Sequence, residues 1–563
     1  MSRVVNLARN NSEQGLTKQH NFLAQGSILA VTGIIVRLIG LLYRMPMIGI
    51  IGNKGNGYYT SGYSIYSLFL ILSSYSFPLA ISKLVSTRVA NNRFKDAKSV
   101  LSCALTVATF IGGISFLVMW FGSGPIANLM QKPFLKYVLR PLAPALFIMA
   151  YLGVLRGFFQ GFGTMVPTSI SQILEQVANA VCSILFAYLF FKRGEIANLV
   201  YDTTEYSYSL GAMGGTFGTC IGAAVALAFF IFIFLNNAKI IEKASENNGR
   251  FVPETNSQIY NLLFLTITPI IISSTVYNIS SVVDDLVFSN IMVYKGLADE
   301  IVTDWGIFGE YHLLFNIPVA IASALSSATV PSISNALAKK DRIEVAAKIK
   351  YGINFAMIIV IPSFVGLCVL AKPVCRLLFF NLDTTRLVPL VIYGSISVVF
   401  FSLATITNGI LQGLDKLDVP IKHCLIALGV HVILLASLLL FTDLRIHAIV
   451  ISNIVFALIV CILNNLAIQK IIRYKQNIVQ TYVKPFFAAF MMGASVAIAY
   501  WFFKFRIFGD ALFENRLYIA IMVISCMALA GLIYFIFLII FGAVRKRDTY
   551  YMTFFKKFSI FLR

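Results

Sequence analysis

Charge is scarce in this sequence. Only 12% of its 563 residues are Asp, Glu, Lys or Arg, while 58% are apolar; ordinary soluble domains are about 25% charged. No polar stretch is long enough to coat a soluble domain, and no loop between apolar runs is long enough to fold as a catalytic one. Cysteine is sparse as well. The eight are Cys103, Cys182, Cys220, Cys368, Cys375, Cys424, Cys461 and Cys526, and none stands in a CxxC or Cys/His ligand spacing. That excludes a disulfide scaffold and gives no reason to expect a metal. His312 and His431 stand alone, without ligand spacing. HExxH, P-loop, GxSxG and DxD-type clusters are missing, so no catalytic residue is assigned. The first apolar run is too long for a signal peptide's core and no small-residue cleavage site follows it.

What is present is apolar length. A spanning helix needs about 20 mostly apolar residues. Fourteen such runs occur, near 24–50, 59–88, 99–121, 138–160, 166–191, 210–236, 258–289, 308–337, 346–371, 387–412, 420–441, 446–469, 481–503 and 515–543. The expected fold is all-α, a polytopic membrane protein of about 14 transmembrane helices. With the amino terminus placed inside, Lys and Arg favour the inner segments by about two to one. Both termini are therefore expected in the cytoplasm. The net charge of +21 follows from the same bias. No basic stretch is interleaved with stacking aromatics, so nucleic acid is not expected as a partner.

Two stretches repeat. Gly157-Phe-Phe-Gln160-Gly161 is followed by Pro167, and Gly409-Ile-Leu-Gln412-Gly413 by Pro420. Both join the fourth and fifth helices of a six-helix unit, and both are read as hinges or turns: glycine lets a helix end, and proline opens the next one. Ser86-Thr-Arg-Val-Ala90 and Ser334-Asn-Ala-Leu-Ala338 match more weakly at nearly the same offset. The chain thus divides into a cytoplasmic tail (1–23), an N-lobe of helices 1–6 (24–240), a linker (241–257), a C-lobe of helices 7–12 (258–475), two further helices (476–544) and a basic cytoplasmic tail (545–563). Both six-helix copies start on the same side, so the repeat is parallel. Transporters often bind substrate between such halves.

Charges inside apolar runs are costly, at least about 2.5–3.5 kcal/mol at the bilayer centre. Arg37 and Arg44 share a stripe with Gly26, Ala30, Gly33 and Gly40, at helical spacing. Guanidinium donates two parallel hydrogen bonds and suits phosphate. Lys83, after Pro78, extends this basic lining or snorkels to the surface; Arg88 fits the inner surface. Three acids are candidates for a cavity, an ion pair, or coupling to H⁺ or Na⁺: Glu175, Asp284 and Asp285. The last two are adjacent and point about 100° apart, so they cannot both face one small site.

The Arg37–Gly40–Arg44 stripe, the paired lobes and Leu155-Arg-Gly-Phe-Phe-Gln-Gly-Phe-Gly-Thr-Met-Val-Pro-Thr168, continuing through Ser171-Gln-Ile-Leu-Glu-Gln176, resemble a known family. It is the polysaccharide-biosynthesis branch of the multidrug/oligosaccharidyl-lipid/polysaccharide (MOP) flippase superfamily, and within it the stage V sporulation protein B–like and MurJ-like lipid II flippase group. The resemblance covers roughly residues 20–545. It implies a V-shaped pair of lobes around a cationic cavity and a groove for a lipid tail formed by the last two helices. It also implies transport from the inner to the outer leaflet of a bacterial cytoplasmic membrane by alternating access. The cargo would be a lipid-linked oligosaccharide or lipid II, its diphosphate met by Arg37 and Arg44; from its position alone, Lys83 is a third candidate. No cofactor is implied beyond coupling to membrane potential, H⁺ or Na⁺. Membrane lipids are the other expected partner, and the chain is expected to be monomeric. The family's eleventh-helix acid is missing, its span carrying His423 and His431 instead. Three alternatives remain: a drug/cation antiporter of the same superfamily, a membrane glycan polymerase or glycosyltransferase, and a non-transporting assembly scaffold, which would tolerate neutral cavity residues.

Overall fold

A computed structural model of the chain describes residues 15–246 and 253–544. The basic tail at 545–563, residues 1–14 of the expected amino-terminal tail and residues 247–252 of the linker lie outside the described residues. Among the described residues there is no strand.

The helices are α1 (Gly15–Leu70), α2 (Phe77–Ala90), α3 (Phe94–Leu129), α4 (Leu135–Gly161), α5 (Val166–Tyr201), α6 (Glu205–Glu246), α7 (Asn256–Tyr294) and α8 (Ile301–Ala338). They continue as α9 (Arg342–Val369), α10 (Ala371–Leu378), α11 (Leu387–Gly394), α12 (Ile396–Gly413), α13 (Asp418–Phe441), α14 (Ile446–Ile472), α15 (Lys484–Phe502) and α16 (Arg516–Ile540). Thirteen helical stretches among the described residues are long and apolar enough to span a membrane, against fourteen apolar runs in the sequence. The difference lies at the start, where the first two runs merge into one stretch, Val31–Ala90, of 60 residues. Straight, it would measure about 90 Å at about 1.5 Å per residue, roughly three times the hydrocarbon thickness. It is not straight: Gly52 has φ 69° and ψ 177°, a conformation that glycine adopts without a Cβ penalty. A π-helical turn at Ile71–Tyr75 then precedes α2.

The chain forms two compact units. The first runs through Val293 and takes in Ala298–Gly306. Two apolar clusters hold it together. In one, Phe77 and Ile81 of α2 pack with Phe158 and Phe159 of α4, Phe230 of α6, and Ile259, Leu263 and Ile267 of α7. In the other, Met47, Ile51 and Tyr59 of α1 pack with Leu135, Leu139 and Leu146 of α4. The second unit comprises Tyr294–Leu297 and the chain from Ile307. Within it α15 and α16 rest on α9: the Tyr534 hydroxyl donates to the Ile358 carbonyl at 2.8 Å, and a Cβ on Gly493 would meet Val365 at 2.6 Å.

The sequence repeat corresponds to a repeated turn. The amide of Gly163 donates to the carbonyl of Gln160 at 2.9 Å, and the amide of Asp415 to the carbonyl of Gln412 at 3.0 Å. Gly163 has φ 82° and Asp415 φ 59°, so each copy reverses through a left-handed residue at the same place. Gly157, Gly161, Gly409 and Gly413 lie one step earlier, inside α4 and α12. They are packing surfaces. A Cβ on Gly161 would lie 2.5 Å from Val85 of α2, and one on Gly413 3.0 Å from Ile333 of α8. Small residues let backbones approach closely where lipid supplies no hydrophobic driving force. Pro167 sits in the first turn of α5 and Pro420 near the start of α13, where a missing N–H costs little.

Candidate functional site

Arg37 and Arg44 both lie on α1 but in different surroundings. Arg37 is exposed on the protein surface. Arg44 is part-buried between two aromatic rings, its guanidinium carbon 5.3 Å from the Tyr59 centroid and 5.1 Å from that of Tyr63. Tyr59 and Tyr63 stack on each other, centroids 5.7 Å apart. The Tyr43 and Tyr59 hydroxyls are 3.3 Å apart, and the Asn179 amide of α5 donates to Tyr43 at 3.4 Å. A desolvated cation over aromatic faces gains about 2 kcal/mol or more, so the rings can hold Arg44 in a fixed orientation. Gly40 meets α5 as well: a Cβ there would lie 3.2 Å from the Gln176 amide. Lys83 of α2 is exposed, and its carbonyl accepts the Ser86 and Thr87 hydroxyls at 3.1 and 2.9 Å.

Two of the three candidate acids are bonded to bases. Glu175 of α5 accepts from Nη2 of Arg156 on α4 at 2.7 Å, and Arg156 Nε also donates to the Ser171 hydroxyl at 3.1 Å. Asp285 of α7 pairs with Lys132, in the turn between α3 and α4, at 2.5 Å, both side chains almost wholly buried. Lys132 donates further to Ser61 at 2.8 Å and lies 5.0 Å from the Trp305 ring centroid. Ser289 donates to Oδ1 of Asp285 at 3.2 Å, while Oδ2 is buried with no hydrogen-bond partner in the structure. Asp284 is buried beside it. One basic lining and one cluster of acids are therefore not brought together; Glu175 and Asp285 each answer a particular base.

Two groupings carry no signal in the sequence. Arg88, read above as a surface residue, is buried. It donates to Oε2 of Glu254 from Nε at 3.1 Å, and Arg93 bonds Oε1 of the same carboxylate at 2.9 Å. Asp96 accepts from Arg93 Nε at 2.7 Å and from the Glu254 amide at 3.1 Å. In the second unit, Asn464 donates to Thr407 at 3.1 Å and to Asn408 at 2.7 Å, and its carbonyl oxygen meets Nδ1 of His423 at 2.7 Å. The tyrosines around Arg44 did leave a trace, because Tyr59, Tyr63 and Tyr66 recur at helical spacing. No group of three or more His, Cys, Asp or Glu suited to a metal ion occurs among the described residues.

Among the described residues, thirteen apolar helical stretches with arginines and paired acids inside them define a multi-pass helical membrane protein. The model of the polysaccharide biosynthesis protein family matches residues 22–337, and the chain belongs to that family, as the motif around Gly157 led us to expect. Among curated relatives, the lipid II flippase MurJ of Bacillus subtilis (strain 168) is 22% identical over 532 residues, covering 91% of this chain and 94% of that protein. Stage V sporulation protein B of the same organism is 26% identical over 373 residues, covering 64% of this chain and 67% of its own. Among solved structures, the lipid II flippase MurJ in its inward closed conformation superposes with a TM-score of 0.62 at 15% identity, covering 91% of this chain and 98% of that one. An inward-facing multidrug resistance MATE family transporter of the MOP superfamily gives 0.60 at 16% identity, over 78% of this chain and 98% of its own. The fold is the one these transporters share.

Proposed function

We propose that the protein is a flippase. It moves a polyprenyl-diphosphate-linked glycan precursor of the lipid II type from the inner to the outer leaflet by alternating access. The observation that carries this reading is the pair Arg37 and Arg44 on one apolar helix, in a chain whose full-length relative bears the name lipid II flippase. An arginine in a membrane helix is costly unless it meets a partner or water, and a diphosphate is a suitable partner. Arg44, clasped by Tyr59 and Tyr63, presents its donors without further loss of side-chain freedom; Arg37 and Lys83, both exposed, are adaptable cations. The helices of 24–240 and 258–475 serve as the two lobes, and 476–544 takes the lipid tail. Both termini lie in the cytoplasm of a bacterial cell, and the protein works as a monomer without a cofactor, driven by membrane potential or an ion gradient.

The test is binding of lipid II to the purified protein by native mass spectrometry, with a neutral polyprenol and an unrelated anionic lipid as controls. Selective binding lost in Arg37→Ala/Arg44→Ala supports the reading; equal binding by both proteins removes it. A drug/cation antiporter would want acids facing its cargo, whereas Glu175 and Asp285 are each bonded to a base. A glycan polymerase or glycosyltransferase would need an essential carboxylate, so unimpaired function after separate replacement of Asp284, Asp285 and Glu310 dismisses it.

A further inference from the structure

Glu310 lies on the part of α8 that belongs to the second unit. Its side chain is wholly buried, and neither carboxyl oxygen has a hydrogen-bond partner in the structure. In this it differs from Glu175 and Asp285, each of which answers a base. Among the described residues, the cations on the neighbouring elements are engaged elsewhere. Cys375 of α10 is the titratable group within electrostatic reach, and burial pushes that thiol up to about 12, so it is neutral at pH 7. On the same short helix, Lys372 lies over the ring of Phe513 at 5.0 Å, and Arg376 acts on Asp383. On α8, Tyr311 spends its hydroxyl on the Gly394 carbonyl at 2.9 Å and on Ser397 at 2.7 Å. His312 is exposed and bonded to Asn316 at 2.9 Å. Helices α11 and α12, which pack on α8 through Gly394 and Gly409, carry no charged residue.

An ionised carboxylate buried without a donor is among the least favourable groups a protein can hold, and such a group takes up a proton instead. We infer that Glu310 is a proton-binding site of the second unit, occupied by its proton in this conformation. Uptake converts the carboxylate and one H⁺ to the neutral acid, and release follows when movement of α8 admits water to the carboxyl group. As a device for driving transport, this rests on the flippase reading above; as a proton site, it does not.

The experiment is an infrared pH titration of the full-length protein in lipid nanodiscs. At neutral pH, where exposed carboxyls with ordinary values near 4 are ionised, the wild type should keep the carbonyl band of a protonated carboxylic acid. Glu310→Gln should lose it without losing the folded state. Where the glutamine variant fails to fold, Glu310→Leu tests the same loss. Absence of the band in the wild type overturns the inference, as does its persistence in the variants. Disappearance of the wild-type band on adding sodium at constant pH also overturns it, in favour of a cation site. In proteoliposomes, a proton gradient should accelerate lipid II transport by the wild type but not by Glu310→Gln; equal acceleration of both removes the driving role. Failure of lipid II to bind would sink the flippase reading while leaving the infrared result standing.

Discussion

Arg156 on α4 donates to Glu175 on α5 across 2.7 Å, immediately beside the turn that both halves of the chain repeat. The pair joins two helices through groups that would otherwise be unpaired charges among apolar residues. Removing one partner of a buried pair costs about 3–5 kcal/mol. Glu175 keeps a quarter of its side-chain surface exposed, which lowers that figure. Glu175→Leu and Arg156→Leu are therefore each expected to lower stability by about 2 kcal/mol, and the double variant Arg156→Leu/Glu175→Leu to recover much of the loss. Thermal unfolding in detergent of both single variants and the double one measures the coupling; independent, additive losses would refute it.

A larger effect is expected at Lys132 and Asp285, which are almost wholly buried. Asp285→Ala leaves an unpaired ammonium in the interior and should cost about 3–5 kcal/mol. Asp443 is the contrast. It bonds Lys295 at 2.9 Å but is almost fully exposed, so Asp443→Asn should leave the melting temperature essentially unchanged. A shift at Asp443 as large as that at Asp285 would contradict the account.

The glycines of the repeat separate packing from turn geometry. Gly161→Ala forces a methyl group against Val85 and should cost about 1–3 kcal/mol. Gly163→Ala meets open space but strains a positive φ, and should cost about 1 kcal/mol. Gly429→Ala, inside α13 with nothing near it, should be neutral or stabilising by up to about 1 kcal/mol. A melting series would read this order directly, and a stable Gly161→Ala protein would break it.

Arg44 and Arg37 should respond differently to lysine. Arg44 depends on a planar guanidinium between Tyr59 and Tyr63, and lysine lacks that plane. Arg44→Lys should therefore weaken lipid II binding by about tenfold, roughly 1.4 kcal/mol, while Arg37→Lys at an exposed position should weaken it less. Titration by native mass spectrometry distinguishes the two; equal losses would argue against a special role for the tyrosines.

Much of the fold was legible because membrane helices must be long and continuously apolar. Each of the fourteen runs falls on an apolar helical stretch. The first two share one stretch, but the non-helical backbone of Gly52 breaks it between the end of the first run at 50 and the start of the second at 59. The repeat was legible too, because Gly-x-x-Gln-Gly carries its turn locally. Its glycines were read as the turn itself, whereas the left-handed residues are Gly163 and Asp415. An aspartate there gives no pattern that a search for glycine would find.

The partners of the charges were not legible. Arg156, Lys132 and Arg88 find Glu175, Asp285 and Glu254 from distances of 19, 153 and 166 residues along the chain. Composition and periodicity determined that this is a polytopic helical membrane protein with arginines inside its first apolar helix, because those properties depend on residues within a turn or two of each other. Tertiary structure alone decided which charges are neutralised, which arginine is clasped by aromatic rings, and that Glu310 is left with neither base nor hydrogen bond. Pairing is set by which helix faces meet in space, and no local pattern in the sequence encodes that meeting.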